Sequence, residues 1–191
     1  MKKRMIVGIS GASGIPIAVE VLRQLKNLPD VETCLIYTQS AQRTISLETE
    51  LTLSQICEMV DVVYDNRNIG AGPASGTFRA FGMVIVPCSM KTVAGIVSGY
   101  SDNLLLRAAD VTLKECRKLV LVARECPLGT VHLRNLYEAS RLGAVILPPV
   151  LSFYNHPDSL EDCSRHIVGK IFDQFDIEPE WMKRWEDAGR I

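Results

Sequence analysis

The chain has 191 residues, 47% of them hydrophobic and 23% charged, which is globular usage and excludes disorder. A chain of this length folds as a single domain, here residues 1–191, and buries roughly 70% of its unfolded surface without a disulfide or metal staple. Twenty-one Lys and Arg balance 22 Asp and Glu; a net charge of −1 argues against a nucleic acid as partner, because that affinity comes from many cations on phosphates.

Met1 to Arg4 is basic, but the apolar stretch Met5 to Ile9 is too short for a signal segment, and no run approaches the ~18 residues of a membrane span. A cytoplasmic protein is expected. Arg4 to Ile9 reads instead as a buried first strand. Gly8 to Gly14 is a tight turn, and Ile15, Ala18, Val19, Leu22 and Leu25 then follow a helical period that ends near Pro29. Val31 to Thr38 is a second strand, followed by helical segments at 39–48 and 53–60. Asn66 to Gly76 is a glycine-rich loop. Met83 to Pro87 is a strong strand, followed by helices at Met90 to Val97 and Asn103 to Glu115. Leu119 to Ala123 and Ala144 to Leu147 are strands flanking a helix at Val131 to Leu142, and Ser159 to Phe175 is the last long helix. Strands that are continuous apolar runs, alternating with helices, predict an α/β fold with a parallel sheet covered on both faces. Ligands of such folds sit at the carboxyl ends of the strands.

The six cysteines are scattered without a C-x-x-C, and the three histidines form no ligand pattern, so no metal is expected and the thiols read as buried and reduced. The turn Gly8-Ile9-Ser10-Gly11-Ala12-Ser13-Gly14 offers backbone N–H groups at a helix N-terminus, which suit a phosphate or a flavin edge. Its spacing is G-x-x-G-x-x-G rather than the dinucleotide G-x-G-x-x-G, and close strand–helix packing explains it equally well. The second strand ends in Tyr37-Thr38-Gln39-Ser40 with no acidic residue, which suits FMN better than NAD. Ser89 opens a helix and reads as an N-cap, while Lys91 reads as solvated. Arg107, Asp110 and Lys114 share one helical stripe, either as a surface ion pair or facing a ligand or subunit contact. Arg124-Glu125 ends a buried strand; the two cations Lys114 and Arg124 with one carboxyl group suit gripping and protonating a phosphate leaving group. Tyr154 either donates to that phosphate or packs. Trp181 and Trp185 lie four apart; a short helix from Glu180 to Glu186 would put both on one face, and the tail from about 176 to 191 is expected to pack on a neighbouring subunit.

Taken together these segments resemble the UbiX-type flavin prenyltransferases, also described as phenylacrylic acid decarboxylase-like flavoproteins. The resemblance rests on Gly11-Ala12-Ser13-Gly14, Glu48-Thr49, Ser75-Gly76-Thr77, Pro87-Cys88-Ser89, Arg107 to Val111 with Leu113-Lys114-Glu115, Arg124-Glu125 with Pro127-Leu128 and His132-Leu133, and Phe153-Tyr154 with Pro157. It runs in one order from about residue 4 to 185. The resemblance implies a Rossmann-like three-layer α/β/α fold and FMN bound between subunits of a dodecamer. It implies transfer of a dimethylallyl group from dimethylallyl phosphate to reduced FMN, giving prenylated FMN for a UbiD-type decarboxylase, with no metal. Residue by residue, Ser13, Glu48 and Glu125 match catalytic positions. Gly11, Ala12, Ser13, Thr38, Ser89 and Arg107 match flavin-contacting positions. Lys114, Arg124, Glu125, Tyr154 and Lys170 match the surroundings of the prenyl phosphate. Lys170 stands where the family has an arginine, Thr38 where serine is more usual, and Cys126 departs from the expected pattern after Arg-Glu. Two alternatives remain at this stage: an FMN-dependent cysteine decarboxylase, disfavoured because the loop reads Pro73-Ala74-Ser75-Gly76-Thr77, and a non-catalytic FMN-binding decarboxylase subunit.

Overall fold

The computed structural model describes residues 2–182 and Arg184. Six parallel strands form one sheet in the order β3-β2-β1-β4-β5-β6. They are β1 (Lys3–Ile9), β2 (Val31–Tyr37), β3 (Val62–Tyr64), β4 (Ala80–Cys88), β5 (Lys118–Ala123) and β6 (Val145–Ile146). The helices are α1 (Ile15–Lys26), α2 (Gln39–Glu48), α3 (Leu53–Cys57), α4 (Met90–Val97), α5 (Leu104–Lys114), α6 (Thr130–Arg141) and α7 (Leu160–Asp173).

The alternation of side chains along each strand divides the core in two. Met5, Val7 and Ile9 of β1 join Val84 and Val86 of β4 on one face, under α1 and α7. Ile6, Met83 and Ile85 point the other way, under α4, α5 and α6. Both faces are dry, which explains why the strands read as unbroken apolar runs. Gly8 lies in the middle of β1, where a Cβ would collide with Leu105; its absence lets α5 approach the sheet. The expected three-layer α/β/α architecture is present.

The structure differs from the expected elements in a few places. β3 falls between the expected helix at 53–60 and the loop from Asn66, where the sequence shows no element, because three part-exposed residues bury too little to leave a pattern. The glycine loop after it contains two 3₁₀ turns, Gly72–Ala74 and Gly76–Phe78. Helix α3 stops at Cys57 rather than residue 60. Residues 180–182 are turn and coil rather than helix, and Trp185 lies outside the described residues. Cys34, Cys88 and Cys163 are buried, as expected of thiols in a core, but Cys116 and Cys126 are exposed and Cys57 is half-buried. Burial pushes the Cys34 thiol up to about 12. No helix among the described residues is long and apolar enough to cross a membrane.

Candidate functional site

The strand order reverses direction between β1 and β4: the chain winds outward through β2 and β3 on one side and through β5 and β6 on the other. This switch point opens a crevice above the strand ends, where the loops diverge. Ser10 forms its floor. Its hydroxyl donates to the Pro87 carbonyl at 2.8 Å and accepts from the Ser89 N–H at 2.8 Å, so one buried side chain stitches the ends of β1 and β4 together. The cavity above has a volume of about 330 Å³. Gly11, Thr38, Ser40 and Ser89 line it with Asn66 and Asn103. Lys91 also lines it and is exposed, as its sequence position leads one to expect.

Local sequence explains these positions. Thr38 caps α2, accepting from the Ala41 N–H at 3.1 Å, and lies 3.0 Å from the Ser40 hydroxyl. Ser89 caps α4, as its sequence position predicts, accepting from the Thr92 N–H at 3.3 Å. Asn103 caps α5. Three helix N-termini thus carry short hydroxyl or amide side chains at one crevice, where the helix dipoles favour an anion. Gly11 has no room for a Cβ, which would run into the Ser40 side chain. Gly14 has φ +122°, a conformation suited to glycine.

The N-terminus of α1 differs from the other three. Its first free donors, the N–H groups of Gly14 and Ile15, both point at Glu48 Oε2 at 2.9 Å. A carboxylate from the end of α2 therefore takes the place that the glycine turn offered to a phosphate. Burial raises the Glu48 carboxyl, but the Ser13 hydroxyl, the two N–H groups and the Arg124 charge outweigh it and hold the group below the usual carboxylate range. Ser13, Glu48 and Arg124 are thus one electrostatic group beside the cavity. Glu125 follows on the exposed loop and accepts from the Cys126 N–H at 3.1 Å.

Other residues singled out from the sequence lie elsewhere on the chain. Arg107 pairs with Asp110 at 2.6 Å, the surface ion pair of the helical stripe, and does not line the cavity. Lys114 leaves that stripe and pairs with Glu115 at 2.7 Å. It precedes β5 while Arg124 follows it, so a strand length of roughly 20 Å separates the two. Tyr154 and Lys170 line a separate groove of about 350 Å³ between β6 and α7. There the Tyr154 ring stands edge-on to His166, and Lys170 lies 3.4 Å from Asp173. One chain therefore brings Ser13, Glu48 and Arg124 together, and Tyr154 with Lys170, but does not bring Lys114 to either group. Ser10, Asn66 and Asn103 were missed; their signal was a polar side chain at a strand end or helix start bordering the switch point.

Residues 1–171 match the family model described as Flavoprotein. The chain is 51% identical over 184 residues to the flavin prenyltransferase LpdB of Lactiplantibacillus plantarum, covering 96% of this chain and 98% of that protein. The chain belongs to the UbiX-like flavin prenyltransferase family. Two solved members have nearly the same backbone. A dodecameric FMN-dependent UbiX-like decarboxylase from Escherichia coli O157:H7 superposes with a TM-score of 0.94 at 45% identity, covering 96% of this chain and 99% of that one. AnUbiX (PadA1), solved with FMN and dimethylallyl pyrophosphate, gives 0.95 at 45% identity, covering 97% and 98%. Membership in this prenyltransferase family agrees with the hydroxyl-lined crevice and with the missing acidic residue at the end of β2.

Proposed function

We propose that this chain joins a dimethylallyl group from dimethylallyl phosphate to reduced FMN. The observation that carries the reading is the Ser13–Glu48–Arg124 group beside a cavity lined by helix N-termini. The residues fit FMN: the Thr38, Ser40 and Ser89 hydroxyls offer donors at two positive helix ends, those of α2 and α4. When bound, reduced FMN supplies the nucleophilic ring positions. The protein's own task is to make phosphate a good leaving group. Lys114, Arg124, Lys170 and Tyr154 neutralise the charge that builds on the donor oxygens as the allylic C–O bond breaks. Glu125 gives the departing phosphate a proton. Ionised Glu48 is in the state that can receive the proton lost on ring closure.

The cations assigned to one phosphate lie in separate places on one chain. We infer that they meet between copies of the chain in a homo-oligomer, a dodecamer by likeness to the E. coli relative. Exposed apolar side chains at Val150, Leu151, Phe153 and Leu160 support a covered surface beside the groove of Tyr154 and Lys170. Residues 1–191 act as a single domain, in the cytoplasm, and hand prenylated FMN to a UbiD-type decarboxylase. The test is anaerobic incubation of the purified protein with reduced FMN and dimethylallyl phosphate, followed by mass spectrometry of the flavin. A flavin heavier by one five-carbon unit is expected. Unmodified flavin, with FMN nevertheless bound, would instead support a non-catalytic FMN carrier.

A further inference from the structure

Two of the cations assigned to the donor phosphate rest on carboxylates of their own helix or its end: Lys114 on Glu115 and Lys170 on Asp173. Each carboxylate competes with the phosphate for its cation. Asp173 differs from Glu115 in how close its second cation lies: Arg117 is 3.8 Å from Glu115, whereas Arg184 is 2.9 Å from Asp173. Arg184, eleven residues on, donates from Nη2 to Asp173 Oδ1 at 2.9 Å, while Lys170 reaches Oδ2 at 3.4 Å. Lys170 therefore has the longer contact, to the oxygen Arg184 leaves free.

The tail is placed so that Arg184 can do this. Trp181 donates from Nε1 to Gln24 Oε1 at 3.0 Å and packs against the core beneath α1 and α7. Met182 lies across Gly169, where a Cβ would strike its sulfur. Arg184 also meets Glu178 at 3.4 Å, so both its carboxylate partners belong to this segment and the end of α7. Asp173 is shielded, with 18% of its side chain exposed, so an unpaired charge there would be costly once Lys170 turned away.

We propose that Arg184 is a positioning residue for the donor site: by holding Asp173, it frees the Lys170 ammonium to swing into the Tyr154 groove and meet the donor phosphate. Binding then exchanges one partner of Lys170 for another without leaving a bare carboxylate behind. This rests on the reading of Lys170 as a donor-phosphate ligand. The groove is suited to the exchange, because Lys170 and Tyr154 line the same cavity and Lys170 is half-exposed at its wall.

Donor-saturation kinetics of the full-length protein at fixed reduced FMN test the proposal. Arg184→Ala should raise the KM for dimethylallyl phosphate about two- to fivefold, the equivalent of one partly exposed ion pair, at unchanged kcat and FMN affinity. Arg184→Lys should restore most of the loss, since it keeps a charge on Asp173. The deciding measurement is the cycle with Asp173→Asn. With the carboxylate gone, Lys170 has nothing to be freed from, so adding Arg184→Ala to Asp173→Asn should leave the donor KM where Asp173→Asn alone puts it. A full additive rise in the double variant would overturn the proposal. Lys170→Ala separates the two levels of the argument: wild-type KM there removes Lys170 from the donor site and the proposal with it. A raised KM in Lys170→Ala beside an unchanged KM in Arg184→Ala overturns the Arg184 role alone.

Discussion

At the scale of single residues, the proposed chemistry is divided between two glutamates in different surroundings. Glu48 is held ionised by two helix N–H groups, the Ser13 hydroxyl and Arg124, whereas Glu125 lies on an exposed loop with one N–H donor. Two carboxyl groups in different surroundings can take different roles, one receiving a proton and the other giving one. Glu125→Gln should leave FMN binding intact and slow prenyl transfer by about 10²–10⁴-fold, the usual contribution of a general acid. Single-turnover rates with the monophosphate donor check this; an unchanged rate would take Glu125 out of the acid role. At Lys170, a point charge replaces the fork of an arginine, which forms two parallel bonds to phosphate. Lys170→Arg should therefore keep the donor KM or lower it, and a large rise would show that the groove is built for an ammonium.

At the scale of the elements, Glu48 ties the end of α2 to the start of α1 and so bears on stability. Its carboxyl lies below its ordinary value of 4.5 in the folded chain. The unfolded chain therefore takes up the proton first, and the stabilisation from Glu48 is complete above about pH 4.5 and lost as pH falls through the lower folded value. Glu48→Gln should be less stable than the wild type at neutral pH, and the gap should narrow on acidification. Thermal melts across that range check the prediction, and parallel curves would mean the carboxylate contributes no linkage. The long elements could be read from the sequence because their signals are local and repeated: the apolar runs of β1, β4 and β5, the period of α1, and Ser89 as a helix cap. Glu48 as the cap of α1 could not, because its two partners lie more than thirty residues away and nothing in the spacing records the return of α2. For the same reason the sequence joins Lys114 to Arg107 and Asp110 in one stripe, while the folded chain turns it to Glu115.

At the scale of the whole molecule, Trp181 corrects the expectation that both tryptophans face a neighbour. It is packed against its own α1 and bonded to Gln24. Trp181→Ala should lower the unfolding free energy of the chain by about 1–3 kcal/mol, the ordinary range for losing a partly buried large side chain. Removal of residues 185–191 bears on the remaining proposal, that the end of the tail docks on another copy. Sedimentation velocity should show a weakened assembly with the melting temperature of the single chain little changed. If the assembly is untouched by this truncation, subunit contact must rest on the exposed apolar side chains of the 150–160 segment. The inferred assembly was legible only through resemblance, since no spacing in one chain shows that Lys114 and Arg124 lie at opposite ends of β5.

The sheet ends on its two shortest strands, β3 with three residues and β6 with two. Open strand edges are the usual route by which sheets stick to one another, and strands this short offer almost no unpaired backbone to a second chain. Growth by adding strand to strand is therefore blocked on both sides. Copies of this chain can join only through side chains on helices and loops, and contacts of that kind have a fixed direction. Contacts of fixed direction give a closed shell of defined number where their rotations close. The blunt edges thus protect a protein whose working site would require many copies to gather at high local concentration, and they leave the gathering to contacts that can close into a finite particle.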